Sequence, residues 1–459
     1  MTQPAAISIN PATGEELARY PFQDAAALEA SLASAQRGFQ QWSQVPVAAR
    51  VEVLLRMAAT LRANAETMAR MTASEMGMPI SQSRGEIEKC ARLCEWYAEH
   101  GPAMLADEAT LVEEDKAWVI YEPLGPVLAV MPWNFPVWQV MRGAVPILFG
   151  GNGYVLKHAP NVMGCAHLLA DAWAQSGLPE GTFEVINVTP DLASKAIADS
   201  RIAMVAVTGS VGAGAAIAAQ AGAALKKCVL ELGGSDPFIV LADANLDEAV
   251  KAAVTSRFQN AGQICIAAKR IILEAPIAEA FTARFVEAVK ALKIGDPQDP
   301  ETYVGPMARF DLRDELDGQV QATLEQGARL LIGGEKLEGA GNYYAPTVLT
   351  DVTPEMTSFR QEIFGPVASL IVARDADHAI ELANDSEFGL GGALWSTDAE
   401  KAQRLARRIV SGAVFINGFT ASDPRVPIGG VKKSGYGREL SHFGLREFLN
   451  VKTIWRDRS

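Results

Sequence analysis

The sequence predicts an α/β protein with two doubly wound lobes and a cleft between them. Three observations lead there. Short apolar runs alternate with helical patterns between about residues 118 and 232. A second strand–helix series begins after Gly233-Gly234. Several runs end in a lysine, a glutamate or a Gly/Ser turn, at the strand ends where open α/β sheets place their ligands. The 459 residues suffice for two or three domains around a large core.

Asn10-Pro11-Ala12-Thr13-Gly14-Glu15 reads as a turn between two short strands. Helical spacing follows over Asp24–Phe39. It recurs over Val47–Ala73, with Arg50, Arg56 and Arg62 outward, and from Ser81 to about Gly101. Cys90 and Cys94 share a face of that last helix, which suits core packing better than a redox pair. Trp118–Pro123 and Val127–Val130 read as strands, the second short and buried. In Met131-Pro132-Trp133-Asn134-Phe135-Pro136 two prolines fix the backbone around Asn134, which reads as a rigid turn or as an amide donor to an oxyanion. Tyr154–Lys157 is a strand ending in a lysine, solvated or ligand-facing.

Strands at Phe183–Ile186 and Ala203–Val207 come next. The latter runs through Thr208-Gly209-Ser210-Val211-Gly212-Ala213-Gly214 into an alanine-rich helix, whose N-terminus is a ready anion site. The spacing is not GxGxxG, so the common dinucleotide fingerprint is absent. Val229–Leu232 delivers Glu231 just before Gly233-Gly234. In the second series Pro237–Leu241 is a strand and Asn245 caps a helix. Further strands fall at Arg270–Leu273, Leu330–Ile332 and Ala368–Val372.

The helix capped by Asn245 leads to Phe258-Gln259-Asn260-Ala261-Gly262-Gln263-Ile264-Cys265-Ile266. Cys265 stands in a weakly charged setting behind small and amide residues. Only a thiolate attacks carbon, and a free thiol titrates near 8.5, so a nucleophilic role requires activation. On composition alone a small buried hydrophobe fits better. The company of Trp133-Asn134-Phe135-Pro136, Glu231-Leu232-Gly233-Gly234 and Glu362-Ile363-Phe364-Gly365-Pro366 reverses that balance.

Composition removes several function classes. A hydrophobic share of 49% with 21% charged residues is that of an ordinary globular enzyme. A formal charge of −13 speaks against a nucleic-acid partner, while leaving room for an anionic substrate beside local Arg or Lys. Cysteines at 90, 94, 165, 228 and 265, without CxxC, fit a reducing cytoplasm. The five histidines form no HExxH and no His/Cys cluster, so no metal is expected. Met1–Asn10 lacks the build of a signal peptide, and Gly, Pro or a charge interrupts each apolar run, so no membrane span is expected.

Taken together, Trp133–Pro136, Lys157, Thr208-Gly209-Ser210, Glu231–Gly234, Gly262–Cys265, Glu362–Pro366 and the Pro427–Arg438 run resemble the aldehyde dehydrogenase superfamily over essentially the whole chain. The phrases Trp138–Gly143, Leu156–Gly164 and Val431–Gly435 resemble its bacterial NAD(P)-dependent succinate semialdehyde dehydrogenases. The resemblance implies a Rossmann-like cofactor domain (1–109 and 129–232, rejoined by 416–440) and a catalytic domain (233–415). It also implies a β-rich oligomerisation arm (110–128 and 441–459), giving a homodimer or homotetramer. Cys265 would attack the aldehyde, Asn134 and the Cys265 N–H would hold the oxyanion, and Glu231 would activate water against the thioester. Trp133, Asn134, Lys157, His158, Ala159, Pro160, Gly209, Ser210, Leu232, Glu362 and Phe364 would contact NAD or NADP.

Two departures bear on specificity. Many NAD-specific relatives carry a Glu three residues after the lysine, where this chain has Pro160, so NADP should be tolerated beside NAD. The substrate carboxylate is expected near Arg142, Trp138 and Ser422. Relatives carry a second Arg six residues before the cysteine, where Gln259 stands here, and Arg425 is the expected compensation. Arg142 as a structural ion-pair partner is the other reading. A broader aliphatic or other ω-carboxy specificity, a coenzyme A-acylating enzyme and a non-catalytic relative are the alternatives. Glu231 favours water as acceptor, and the presence of all three reaction residues favours catalysis.

Overall fold

The apolar runs form two mainly parallel sheets, in a computed structural model that describes residues 4–112 and 116–457. Residues 1–3 of the N-terminal stretch and residues 113–115 and 458–459 of the expected arm lie outside the described residues. The first sheet runs in the order Gly435–Tyr436, Lys227–Glu231, Met204–Thr208, Pro126–Val130, Gly153–Lys157, Phe183–Val185. All are parallel except the first, which pairs antiparallel with Lys227–Glu231. The chain starts in mid-sheet at Pro126–Val130, winds out one side, then returns to the other. The order therefore reverses between Pro126–Val130 and Met204–Thr208, where a crevice opens at the carboxyl ends of the strands. Helices cover both faces, so Val127, Leu128 and Ala129 are fully buried.

The second sheet runs Arg329–Ile332, Thr347–Thr350, Val367–Ala373, Ala268–Glu274, Asp236–Val240, Ala393–Trp395, Phe415–Ile416. Only Arg329–Ile332 is antiparallel. The chain passes from Glu231, the end of a strand in one sheet, to Asp236, the start of a strand in the other. This puts the carboxyl ends of the first sheet beside the amino ends of the second. Asn245 caps the helix Leu246–Phe258 by accepting from the Glu248 N–H at 3.3 Å.

The structure corrects four expectations. Val47–Ala73 is two helices, Val47–Ala63 and Ala65–Met76, meeting at Asn64. Arg50 points inward: it is 7% exposed and donates to the carbonyls of Phe149 and Ser43, both at 3.1 Å. The arm boundary at 128 falls inside Pro126–Val130, a central strand of the first sheet. The boundary at 441 is early, because helix Ser441–Glu447 packs Leu445 into the first lobe's core and its Ser441 carbonyl accepts from Tyr97 at 3.0 Å. The three-stranded arm sheet comprises Glu108–Ala109, Ala117–Pro123 and Leu449–Trp455, the last an edge strand with Val451 and Trp455 exposed.

Candidate active site

Cys265 lies on the loop between helix Leu246–Phe258 and strand Ala268–Glu274, where the two lobes meet. That loop is held in an unusual course. Asn260, Ala261 and Gly262 all have positive φ, of 52°, 50° and 70°. A non-glycine residue persists there only when its surroundings over-determine it. The surroundings do so. The Asn260 N–H donates to Gln82 Oε1 at 2.8 Å, and its Nδ2 donates to the Asn134 carbonyl at 2.6 Å. The buried Arg257 guanidinium gathers the carbonyls of Gly262, Ile363 and Gly365. Lys269, also fully buried, donates to the carbonyls of Ile264 (2.8 Å) and Cys265 (2.7 Å) and to Glu362 Oε1 (3.0 Å). At Gly234 an added Cβ would stand 2.6 Å from the Cys265 carbonyl, so the second glycine of Glu-Leu-Gly-Gly is required for the lobes to approach.

Cys265 is half-buried on a wall shared by two cavities. The larger, of about 710 Å³, opens at the strand-order reversal of the first sheet. Pro132, Trp133, Asn134, Thr208, Gly209, Ser210, Leu232, Glu362 and Phe364 are among its walls. Ser210 caps helix Val211–Ala223, so a helix N-terminus points at this space. Gly209 has nothing within 4 Å of where a Cβ would stand. The Glu362 carboxylate is fixed through Oε1 by Lys269 and the Gly234 N–H, both at 3.0 Å, which leaves Oε2 to accept from a ligand hydroxyl. An open cleft, a helix N-terminus and an oriented carboxylate fit a dinucleotide.

The smaller cavity, of about 410 Å³, lies on the other side of Cys265. Helix Ile80–Met104 contributes Ser81, Gln82, Gly85, Glu86 and Lys89 to it, helix Trp138–Phe149 contributes Trp138, Gln139 and Arg142, and the 419–422 loop contributes Ser422. Gln259 stands in the same wall.

Burial pushes the Cys265 thiol up to about 11; Lys269 and then Arg142 pull it back down. Asn134 is 4% exposed and its Nδ2 donates to the Gln263 carbonyl at 2.9 Å, with the second amide hydrogen uncommitted to that bond. Glu231, 3% exposed, lines neither cavity. Its carboxyl lies behind the wall, facing Arg142, Glu439 and Arg438, and burial pushes it up to about 8. Its Oε1 has no hydrogen-bond partner.

Other expected residues fall elsewhere. The His158 ring is buried and faces the carbonyls of Met131 (3.3 Å) and Pro136 (3.0 Å), so its side chain braces the turn that carries Asn134. Lys157 ends strand Gly153–Lys157 beside the cleft and Ala159 and Pro160 follow it, but none of the three is in the cleft's walls. Arg425 is exposed and pairs with Asp423, outside the small cavity, so it does not stand in for a missing arginine. Arg142 reaches the cavity wall, yet its guanidinium is ion-paired with Glu439, and both side chains are almost wholly buried. Lys89, Lys269 and Arg257 escaped the sequence reading. For Lys89 a signal existed: Gln82, Gly85, Glu86 and Lys89 recur at helical spacing, a polar and small face on a helix otherwise bound for the core.

A profile of the aldehyde dehydrogenase family matches residues 2–454. The chain belongs to this family. An aldehyde dehydrogenase relative from Escherichia coli (strain K12), the succinate semialdehyde dehydrogenase [NAD(P)+] Sad, is 63% identical over 99% of this chain and 98% of its own. A probable succinate-semialdehyde dehydrogenase [NADP(+)] from Synechocystis is 47% identical over 98% of this chain and 99% of its own. Among solved structures, the succinic semialdehyde dehydrogenase from Streptococcus pyogenes in complex with NADP+ superposes with a TM-score of 0.97 at 35% identity, covering 99% of this chain and 100% of that one. The aldehyde dehydrogenase fold thus accounts for both lobes and the arm.

Proposed function

We propose that the protein oxidises succinate semialdehyde to succinate with NAD or NADP. The observation that carries this reading is Cys265 on the wall between a dinucleotide-sized cleft and an aldehyde-sized cavity with a cationic end. Near-identity in length to relatives named for this reaction supports it. When bound in the larger cleft, the nicotinamide nucleotide supplies the hydride acceptor. Trp133, Gly209, Ser210, Leu232, Glu362 and Phe364 would hold it. The first lobe is accordingly the cofactor domain and the second carries the nucleophile.

The chain's own residues then divide the work. Cys265 adds to the aldehyde carbon from the small cavity, as a thiolate favoured by Lys269 and Arg142. The Asn134 amide and the Cys265 N–H steady the oxyanion that forms in that addition. Glu231 serves as base for the water that frees the acid. Its carboxyl must swing past the wall to do so, and the unpartnered Oε1 means that little local hydrogen bonding opposes the movement. The exposed edge strand Leu449–Trp455 supports pairing with a second copy, as a homodimer or homotetramer. Kinetics on a panel of aldehydes with and without an ω-carboxylate, each with both nucleotides, tests the reading. Preference for succinate semialdehyde supports it, and indifference to the carboxylate contradicts it.

A further inference from the structure

Resting on that reading, the small cavity raises a question of charge. A substrate with a carboxylate at its far end needs a cation that faces the cavity and is not already matched. Arg142 is matched by Glu439 and also donates to Thr208 Oγ1 at 3.3 Å. Gln259 is neutral, and Arg425 lies outside. Lys89 remains. It has no ion pair among the described residues. Its ammonium donates to Ser422 Oγ at 2.7 Å and stands 3.9 Å from the centre of the Trp138 ring, within the cavity wall. Those two contacts fix the head of a long, flexible side chain and leave donor capacity directed at the cavity.

We propose that Lys89 receives the far carboxylate of the aldehyde and sets the preference for carboxyl-terminated substrates, with Ser422 and Trp138 fixing its ammonium. Burial pulls the Lys89 ammonium down to about 8, so the free site gains from an incoming anion. The charged or titratable groups around it are Glu86 and Cys90 on its own helix, Arg142 on the facing helix and Asp423 on the loop. Glu86 does not compete for the ammonium: its Oε1 accepts from the N–H groups of Val137 (3.0 Å) and Trp138 (2.6 Å), and burial pushes its carboxyl up to about 7. A lysine on helix Ile80–Met104 would thus do this work from an element that carries neither Arg142 nor Gln259.

The test is steady-state kinetics of the full chain with saturating nucleotide, using succinate semialdehyde, butanal and 4-aminobutanal. Wild type is compared with Lys89→Met, Lys89→Gln and Lys89→Arg. The ratio of kcat/KM for succinate semialdehyde to that for butanal should fall about thirtyfold in the Met and Gln variants, mostly through KM, the scale of one charge-assisted hydrogen bond. Lys89→Arg should keep most of the ratio, and 4-aminobutanal should gain in the neutral variants. A ratio that survives Lys89→Met and Lys89→Gln, or a loss shared equally by both aldehydes, overturns the assignment while leaving the proposed reaction intact. A wild type that oxidises butanal but not succinate semialdehyde defeats the proposed reaction and the assignment with it.

Discussion

Lys269→Met is the most informative single perturbation of the nucleophile loop. The lysine is 1% exposed, and its three donors go to the Ile264 carbonyl, the Cys265 carbonyl and Glu362. Methionine fills similar volume but supplies no donor. Leaving a buried acceptor unpaired costs about 1–3 kcal/mol, and breaking a buried ion pair costs about 3–5 kcal/mol. Because the Glu362 side chain keeps 21% exposure, the low end applies, and a stability loss of about 3 kcal/mol is expected. The same substitution removes the largest charge effect opposing burial at Cys265, whose thiol stands at about 11. The pH midpoint for alkylation should rise by about one unit, which slows iodoacetamide labelling roughly tenfold at any pH below it. Urea melts and labelling rates across pH, read on the peptide carrying Cys265, measure both effects. If stability drops but the labelling profile overlays that of wild type, Lys269 is a structural strut and does not tune the charge on the Cys265 thiol.

The remaining predictions concern the other parts of the site. Glu231 acts as base only when deprotonated, so release of the acid should quicken as pH rises through about 8; Glu231→Gln should accumulate acyl-enzyme in a rapid-quench experiment and lose that rise. Glu439→Gln leaves the buried Arg142 charge unmatched and should cost about 3–5 kcal/mol in a urea melt, lowering activity on charged and uncharged aldehydes alike. Both NAD and NADP should support turnover, because Pro160 offers no carboxylate to repel a 2′-phosphate; strict rejection of NADP would contradict that argument.

Much of this site was readable from sequence, for a physical reason. Trp133–Pro136, Thr208–Ser210, Glu231–Gly234 and the Cys265 loop are turns, and turns depend on local chemistry: prolines that fix φ, glycines that admit a neighbouring backbone, a serine that caps a helix. What escaped depends on contacts between distant segments. Arg142 meets Glu439 from the far end of the chain, and nothing near either residue signals the pairing. Lys89 projects from a helix whose polar face passes for a solvated one until the 419–422 loop closes over it. Arg50 reads as outward by spacing, yet the turn at Gly151 and the carbonyl of Phe149 draw it inside. The arm boundary slipped because Ala117–Pro123 and Pro126–Val130 are both apolar strands separated by a two-residue turn, though they join different sheets.

The proposed reaction requires the Cys265 sulfur to carry the acyl group between the two cavities. Mass spectrometry of Glu231→Gln protein quenched during turnover of succinate semialdehyde reads out that acyl group. A succinyl adduct confined to the peptide containing Cys265, and absent from a Cys265→Ala control that also fails to turn over, is the predicted result. An adduct on another residue, or turnover by the Cys265→Ala variant, would contradict it.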